Sequence, residues 1–120
     1  MKLAALLVFV PDLAEAQDFY ARILGLVLID RSDTSLSFAL GPAELHVFRC
    51  DGDASRHRHG QDASTAIAFD VASIETEMTR LRAEGVCFLH DQPAINAELR
   101  VRYAAFVAPG GNIHELMERF

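Results

Sequence analysis

The sequence predicts an α+β fold built from two similar βαβββ modules. A strand-length apolar run, an amphipathic helix and three short strands occur in the same order in each half of the chain. Corresponding positions carry the same residue, since Ala5 and Val10 match Ala66 and Val71. One half of a 120-residue chain has too little interior to be stable alone. We therefore expect the modules to share one core in a single domain over residues 1–120.

The first module is predicted to cover about 1–50. Its opening strand, 3–10, is apolar throughout, as is typical of a strand covered on both faces. Asp12 has the position of a helix cap, and Gly25 of a helix stop. The apolar face of the helix between them follows helical spacing: it comprises Ala16, Phe19, Tyr20, Ile23 and Leu24. Turn residues then separate strands predicted at 26–30, 35–40 and 44–50.

The second module is predicted to cover about 65–120, after a polar linker at 51–64. Ser73 is the expected cap of its helix, which ends at Gly85. The predicted strands are 66–71, 86–89, 101–107 and 113–117. The distance between matching positions grows along the chain, which predicts an inserted hairpin loop at about 91–98. His90 is expected in a surface turn.

Composition restricts the class of partner and the compartment. The chain is 51% hydrophobic and 23% charged with a net charge of −6, which is typical of a folded globule and disfavours nucleic acid and membrane surfaces as partners. No apolar run is long enough to span a bilayer. Acidic residues follow the run at 3–10, so we interpret it as a strand rather than a secretory signal. The two cysteines form no C-x-x-C motif, which favours reduced thiols and a cytoplasmic location.

Three segments of the chain resemble the vicinal oxygen chelate superfamily, which holds glyoxalases, extradiol dioxygenases, fosfomycin-modifying enzymes and bleomycin-resistance proteins. They are VFVPDLAEAQDFYARILGL, AFDVASIETEMTRLRAEGV and APGGNIHELMERF. The resemblance implies that the eight strands form a mixed sheet around a cupped, barrel-like cavity, and that two chains form a homodimer. The alternative topology is a ferredoxin-like βαββαβ sandwich.

The resemblance also implies where a metal would be bound. Enzymes of the superfamily hold a divalent cation with one side chain from the first strand and one from the last strand of each module. The corresponding positions here are Ala5, His46, Ala66 and Glu115. Methyl groups cannot replace the water shell of a dication, so we expect no cofactor. The alternative is a divalent metal held by His46, Glu115 and substrate oxygens.

Alternation along the strands predicts the cavity wall. The wall would be apolar and aromatic with a few acids and one histidine, which suits a small organic ligand that is aromatic or cationic. Core filling is the competing explanation for its large side chains. His114 has the parity of the opposite face, and for Phe38 and Tyr103 the pattern leaves the face open. The predicted ligand-binding residues are Leu7, Phe9, Glu44, His46, Phe48, Ala68, Asp70, Ile113, Glu115 and Met117.

Two functions are compatible with these residues. The first is a metal-independent protein that binds or sequesters a small molecule, like the bleomycin-resistance proteins, with His46, Glu115 and Asp70 orienting the ligand. The second is a glyoxalase- or dioxygenase-like enzyme, a lyase, isomerase or oxidoreductase, with His46 and Glu115 as its catalytic residues, either as an acid/base pair or as a partial metal site. A third possibility is a regulatory partner domain whose cavity is filled by its own side chains.

Overall fold

The computed structural model of the chain describes residues 3–50, 65–97 and 99–120. The predicted linker 51–64 and Glu98 of the predicted loop lie outside these ranges. The α+β class and the two βαβββ modules are confirmed, with the eight strands arranged as two sheets of four. The chain divides into two compact units, Met1–Arg56 with Pro109–Asn112 and His57–Ala108 with Ile113–Phe120.

The first unit contains one mixed sheet and one helix. Strand β1 pairs in parallel with β4, and the remaining neighbours in the order β1-β4-β3-β2 are antiparallel. Helix α1 continues directly into a π-helical stretch, Asp18–Ile23. The bounds are β1 Ala5–Val10, α1 Leu13–Gln17, β2 Val27–Arg31, β3 Ser35–Leu40 and β4 Ala43–Arg49.

The helix of the first unit begins and packs as its sequence predicts. The Asp12 carboxylate accepts hydrogen bonds from the backbone N–H groups of Ala14 and Glu15, which would otherwise have no partner at a helix start. Tyr20 is fully buried, with its ring 5.7 Å from that of Phe38 on β3. Burial raises the pKa of the Tyr20 hydroxyl, because the phenolate would lose its hydration.

A turn from late in the sequence belongs to the first unit. Gly110 lies in the turn Pro109–Gly111 with a φ of 76°, a conformation that favours glycine. The Asn112 side chain donates hydrogen bonds to the carbonyl oxygens of Phe9, at 3.0 Å, and Pro109, at 2.8 Å. The turn is thereby fixed to the end of β1.

The second unit repeats the topology of the first. Strand β5 pairs in parallel with β8, and the sheet order is β5-β8-β7-β6. The side chain of Ser73 accepts a hydrogen bond from Thr76 N–H at the start of the helix, as predicted. The bounds are β5 Ile67–Asp70, α2 Ile74–Ala83, β6 Ala94–Asn96, β7 Val101–Val107 and β8 Ile113–Arg119.

The outer strand of the second sheet differs from the prediction. The segment predicted as a strand at 86–89 pairs with β7 only through a bridge between Phe88 and Phe106 and flanking hydrogen bonds. The regular outer strand is β6, inside the stretch predicted to be a loop. Pro93, which has no N–H to donate, separates the two paired segments.

A charged cluster links helix α2 to its sheet. Glu118 on β8 accepts a hydrogen bond of 2.7 Å from the backbone N–H of Ile74, the first residue of α2. Arg102 on β7 bonds the carboxylates of both Glu118 and Glu75. The Ile74 N–H, and then Arg102, hold the pKa of Glu118 below its usual range. The helix start is therefore held by a side chain from the sheet that it covers.

The core of the second unit contains one histidine. His114 is 2% exposed, and its ring meets those of Phe69 and Phe106 edge to face. Burial lowers the pKa of His114 to about 4, because the imidazolium would be desolvated there. Within the described residues, no helix is long and apolar enough to cross a membrane.

Candidate functional site

The face of the first sheet that points away from its helix carries both apolar and polar side chains. Val8, Val10, Leu45 and Val47 are buried, whereas the residues that alternate with them are half-buried or exposed. Because alternate side chains of a strand point to opposite faces, the residues between the buried ones lie on the face away from the helix. Its predicted ligand-binding residues are Leu7, Phe9, Glu44, His46 and Phe48.

A histidine–carboxylate pair lies on this face. His46 Nε2 is 2.8 Å from Glu44 Oε2, and both side chains are partly exposed. The His46 ring stacks against that of Phe48, which in turn stacks against Phe9. Such a pair can orient an imidazole for proton transfer. The hydrogen-bond partner of His46 is thus Glu44, which lies two residues away on the same strand.

The second sheet presents the other predicted residues. Its face away from α2 carries Ala68, Asp70, Ile113, Glu115 and Met117, while Leu116 and His114 are buried on the helix side. This face opens into a cavity of about 460 Å³ within the second unit. The described residues that line the cavity are Leu89, His90, Asn96, Leu99, Val101, Tyr103, Glu115 and Met117.

Small residues beside Glu115 explain why the sheet leaves space there. Glu115 on β8 pairs with Ala68 on β5 and with Ala105 on β7, so both of its cross-strand neighbours are methyl groups. One step along the sheet, Met117 pairs with Tyr103, and these long side chains form a wall. The carboxylate of Glu115 therefore lies in a hollow bounded by larger, mainly apolar groups.

Another part of the cavity lining comes from the segment after α2, from the end of β6 and from the turn that follows it. His90 is half-buried, and its ring meets that of Tyr103 edge to face at 5.5 Å. His90 was expected in a surface turn, and the structure instead gives it a place in the cavity lining. The Asn96 side chain accepts a hydrogen bond from Leu99 N–H at 3.0 Å, which fixes the turn that carries Leu99.

Comparison with known proteins assigns the family. A profile described as the Glyoxalase/Bleomycin resistance protein/Dioxygenase superfamily matches residues 2–116. The chain belongs to this superfamily. No curated protein sequence matches the chain.

Solved structures agree with this fold. The protein SMU.1112c has a TM-score of 0.83 at 22% identity, with 98% of both chains covered. The fosfomycin resistance protein FosX from Listeria monocytogenes has a TM-score of 0.77 at 20% identity, with 100% of this chain and 94% of FosX covered. A glyoxalase family protein from Enterococcus faecalis has a TM-score of 0.76 at 21% identity, with 98% of this chain and 96% of that protein covered. At such identities the likeness concerns the fold.

The donor set implied for a divalent cation in this superfamily does not fit the chain. Ala5 and Ala66 have no donor atom, and Leu7, which pairs with His46 across β1 and β4, has none either. No cluster of three or more His, Cys, Asp or Glu with metal-binding geometry occurs among the residues that the structure describes. At these positions a dication would lose its water shell without adequate replacement.

Sequence reasoning found part of the cavity and missed the rest. Of the predicted residues, Glu115 and Met117 line it. The missed residues come from the segment after α2, from β6, from the turn before β7 and from β7 itself. For Tyr103, the strand pattern alone did not decide which face of the sheet it lies on. Its pairing with Met117 places it on the cavity side. The missed residues are Leu89, His90, Asn96, Leu99, Val101 and Tyr103.

Proposed function

We propose that this chain binds and sequesters a small organic molecule without a bound metal, in the manner of bleomycin-resistance proteins. The observation that carries the proposal is the cavity of the second unit, in which Glu115 lies among apolar and aromatic side chains. Its volume of about 460 Å³ falls in the range of about 300–1,000 Å³ common for small-molecule sites. Affinity would come from apolar burial, and orientation from the carboxylate.

The proposed ligand is a flat aromatic cation. Leu89, Leu99, Val101 and Met117 offer apolar contact, and the Tyr103 ring offers a surface for stacking or for a cation. A positive charge on the ligand would be attracted by the Glu115 carboxylate, which lines the cavity. The net charge of −6 favours the approach of a cation and disfavours that of an anion.

Calorimetric titration with three molecules that share one ring system tests this proposal. N-methylacridinium is a cation, acridine is neutral at about pH 8, and acridine-9-carboxylate is an anion. We expect the cation to bind tightest and the anion weakest. Glu115→Gln should weaken binding of the cation about tenfold and change binding of acridine less than about twofold.

Asp33→Asn is the matched control, because it removes the same charge from an exposed turn of the first unit. It should leave all three affinities unchanged. An equal loss in both variants would mean that net charge rather than the cavity attracts the cation. Equal binding of the three molecules, or binding of none, would contradict the proposal.

A second candidate function is supported by the His46–Glu44 pair. Its geometry would allow His46 to act as a general base in a lyase- or isomerase-like reaction on the apolar face of the first sheet. Turnover of 2-oxoaldehyde–thiol adducts that is abolished in His46→Gln and kept in Glu115→Gln would favour base catalysis by His46 over sequestration.

We further propose that the protein acts as a homodimer in the cytoplasm. The dimer is supported by the superfamily and by exposed apolar side chains on the first sheet. The location is supported by Cys50 and Cys87, both exposed and not joined to each other.

A further inference from the structure

We propose that residues 88–91, called here the 88–91 segment, form the specificity-determining wall of the second-unit cavity, and that Arg82 is the positioning residue of this wall. The specificity role rests on the proposed binding function. The positioning role rests on contacts within the second unit and can be tested without any ligand.

The 88–91 segment leaves the sheet where its pairing with β7 is interrupted. Leu89 N–H donates a hydrogen bond of 2.8 Å to the carbonyl of Ala105, the last such bond before the segment turns away. Pairing with β7 resumes at Ala94, after Pro93. The segment between these points is therefore free to extend over the sheet face, and it carries Leu89 and His90 to the cavity.

Arg82 holds the segment from the side of helix α2. Its Nη2 atom donates to the carbonyl oxygens of His90, at 3.0 Å, and Asp91, at 2.9 Å. The same guanidinium lies over the Phe88 ring, 5.3 Å from the centroid. A planar cation that bonds two successive carbonyls and covers an aromatic ring restricts the segment through two backbone groups and one side chain.

The position of the backbone determines the position of the His90 ring. The ring stands nearly perpendicular to that of Tyr103, with an interplanar angle of 87°. Arg82, His90 and Tyr103 thus form a continuous connection from the helix to the cavity wall. When Arg82 is lost, the His90 ring should leave Tyr103 and the cavity should widen. A wider cavity would discriminate less between flat and bulky ligands.

Fluorine NMR of protein labelled with 3-fluorotyrosine tests the positioning role. The chain has two tyrosines, and Tyr20 is buried in the first unit, so its signal reports whether the protein is folded. Tyr20→Phe assigns the Tyr103 signal. We expect Arg82→Gln and His90→Ala to shift the Tyr103 signal in the same direction, and the double variant to add little to either.

Arg80→Gln is the matched control, since Arg80 lies on the same helix and pairs with Glu77. It should leave the Tyr103 signal unchanged. Arg82→Lys keeps the charge but not the planar guanidinium, so it should shift the Tyr103 signal less than Arg82→Gln does. An unmoved Tyr103 signal in Arg82→Gln, with the Tyr20 signal intact, would overturn the positioning role. If the Gln variant does not fold, Arg82→Lys replaces it: a Tyr103 signal displaced in the direction seen for His90→Ala supports the role, and an unmoved signal contradicts it.

The specificity role is tested with two cations of different shape, flat N-methylacridinium and bulky tetrabutylammonium. Wild-type protein should prefer the flat cation, and Arg82→Gln should reduce that preference about tenfold. An unchanged preference would overturn the specificity role. If wild-type protein binds neither cation, the proposed function and the specificity role both fail, while the fluorine signals still decide the positioning role.

Discussion

His114 and Glu115 are neighbours on β8 whose environments differ because they lie on opposite faces of the sheet. Glu115 lines the cavity, whereas His114 is buried between Phe69 and Phe106. The core therefore contains a base that stays neutral in the folded state down to a pH of about 4. The adjacent Glu115 side chain faces the cavity instead.

His114 is expected to make the fold sensitive to acid. Its pKa is about 4 in the folded chain and near 6.5 in the unfolded chain, so the unfolded state takes up a proton first as the pH falls. The free energy of unfolding should therefore decrease between about pH 6.5 and pH 4, by roughly 3 kcal/mol. His114→Phe, which can still pack edge to face, should remove about 2 to 3 kcal/mol of the difference between pH 7 and pH 4.5. Urea unfolding at both pH values measures this, and an unchanged difference would contradict it.

Individual residues show how far the strand pattern could predict the site. Alternation gave the correct face for Glu115, Met117 and His114, because every second side chain of a paired strand shares a face. It could not place His90, whose position depends on a break in strand pairing and on contacts with Arg82. Contacts between a helix and the irregular segment that follows it leave no periodic pattern in the sequence.

At the level of the element, two separate constraints, backbone conformation and a steric contact, require glycine at position 110 of the turn Pro109–Gly111. A Cβ atom on Gly110 would lie 3.0 Å from the Phe9 carbonyl oxygen, in addition to the strain of a φ of 76°. Gly25, with a φ of 79°, has nothing within 4 Å of the same atom. Substitution of Gly25 would therefore test backbone strain alone, whereas substitution of Gly110 would test strain together with a steric contact.

Substitution of these glycines should have unequal effects. Gly25→Ala should lower the free energy of unfolding by about 1 kcal/mol through strain alone. Gly110→Ala should lower it by roughly 2 to 3 kcal/mol, because the Phe9 carbonyl must also move. Thermal or urea unfolding of both variants gives the comparison. Equal losses would mean that the contact with β1 adds nothing to stability.

Elements were predicted well where a periodic pattern ran their full length. The caps at Asp12 and Ser73 and the strands around them are as predicted. The outer strand of the second sheet was misplaced because 86–89 is apolar like a strand but is paired at only one bridge. Strand β6 has three residues, which is too short for alternation to identify.

At the level of the whole molecule, the apolar face of the first sheet bears on assembly. Leu7 and Phe9 point to the same side of β1 and are 56% and 51% exposed. Exposed apolar side chains grouped on one face are common at sites of association. The homodimer inferred from the superfamily stays a prediction, as does the assignment of the chain to a single domain.

Substitution on this face should decide the oligomeric state. Light scattering after gel filtration should give twice the 13.2 kDa mass of one chain for wild-type protein. Leu7→Glu should give the mass of a single chain, because a carboxylate would be desolvated in the contact. Ile95→Glu is the control, since Ile95 is 66% exposed on the helix side of the second sheet, where it pairs with Arg102 across β6 and β7. A monomeric wild type would refute the prediction.

The outer strands described above also limit how copies of this chain can aggregate. Strand β2 has a bulge between Leu28 and Asp30 and ends in two charged residues, Asp30 and Arg31. Strand β6 spans only three residues. Neither margin offers a long flat ladder of backbone groups for templated growth of a fibril. Crowding or partial denaturation should therefore produce few amyloid-like filaments that grow from the β2 or β6 edge.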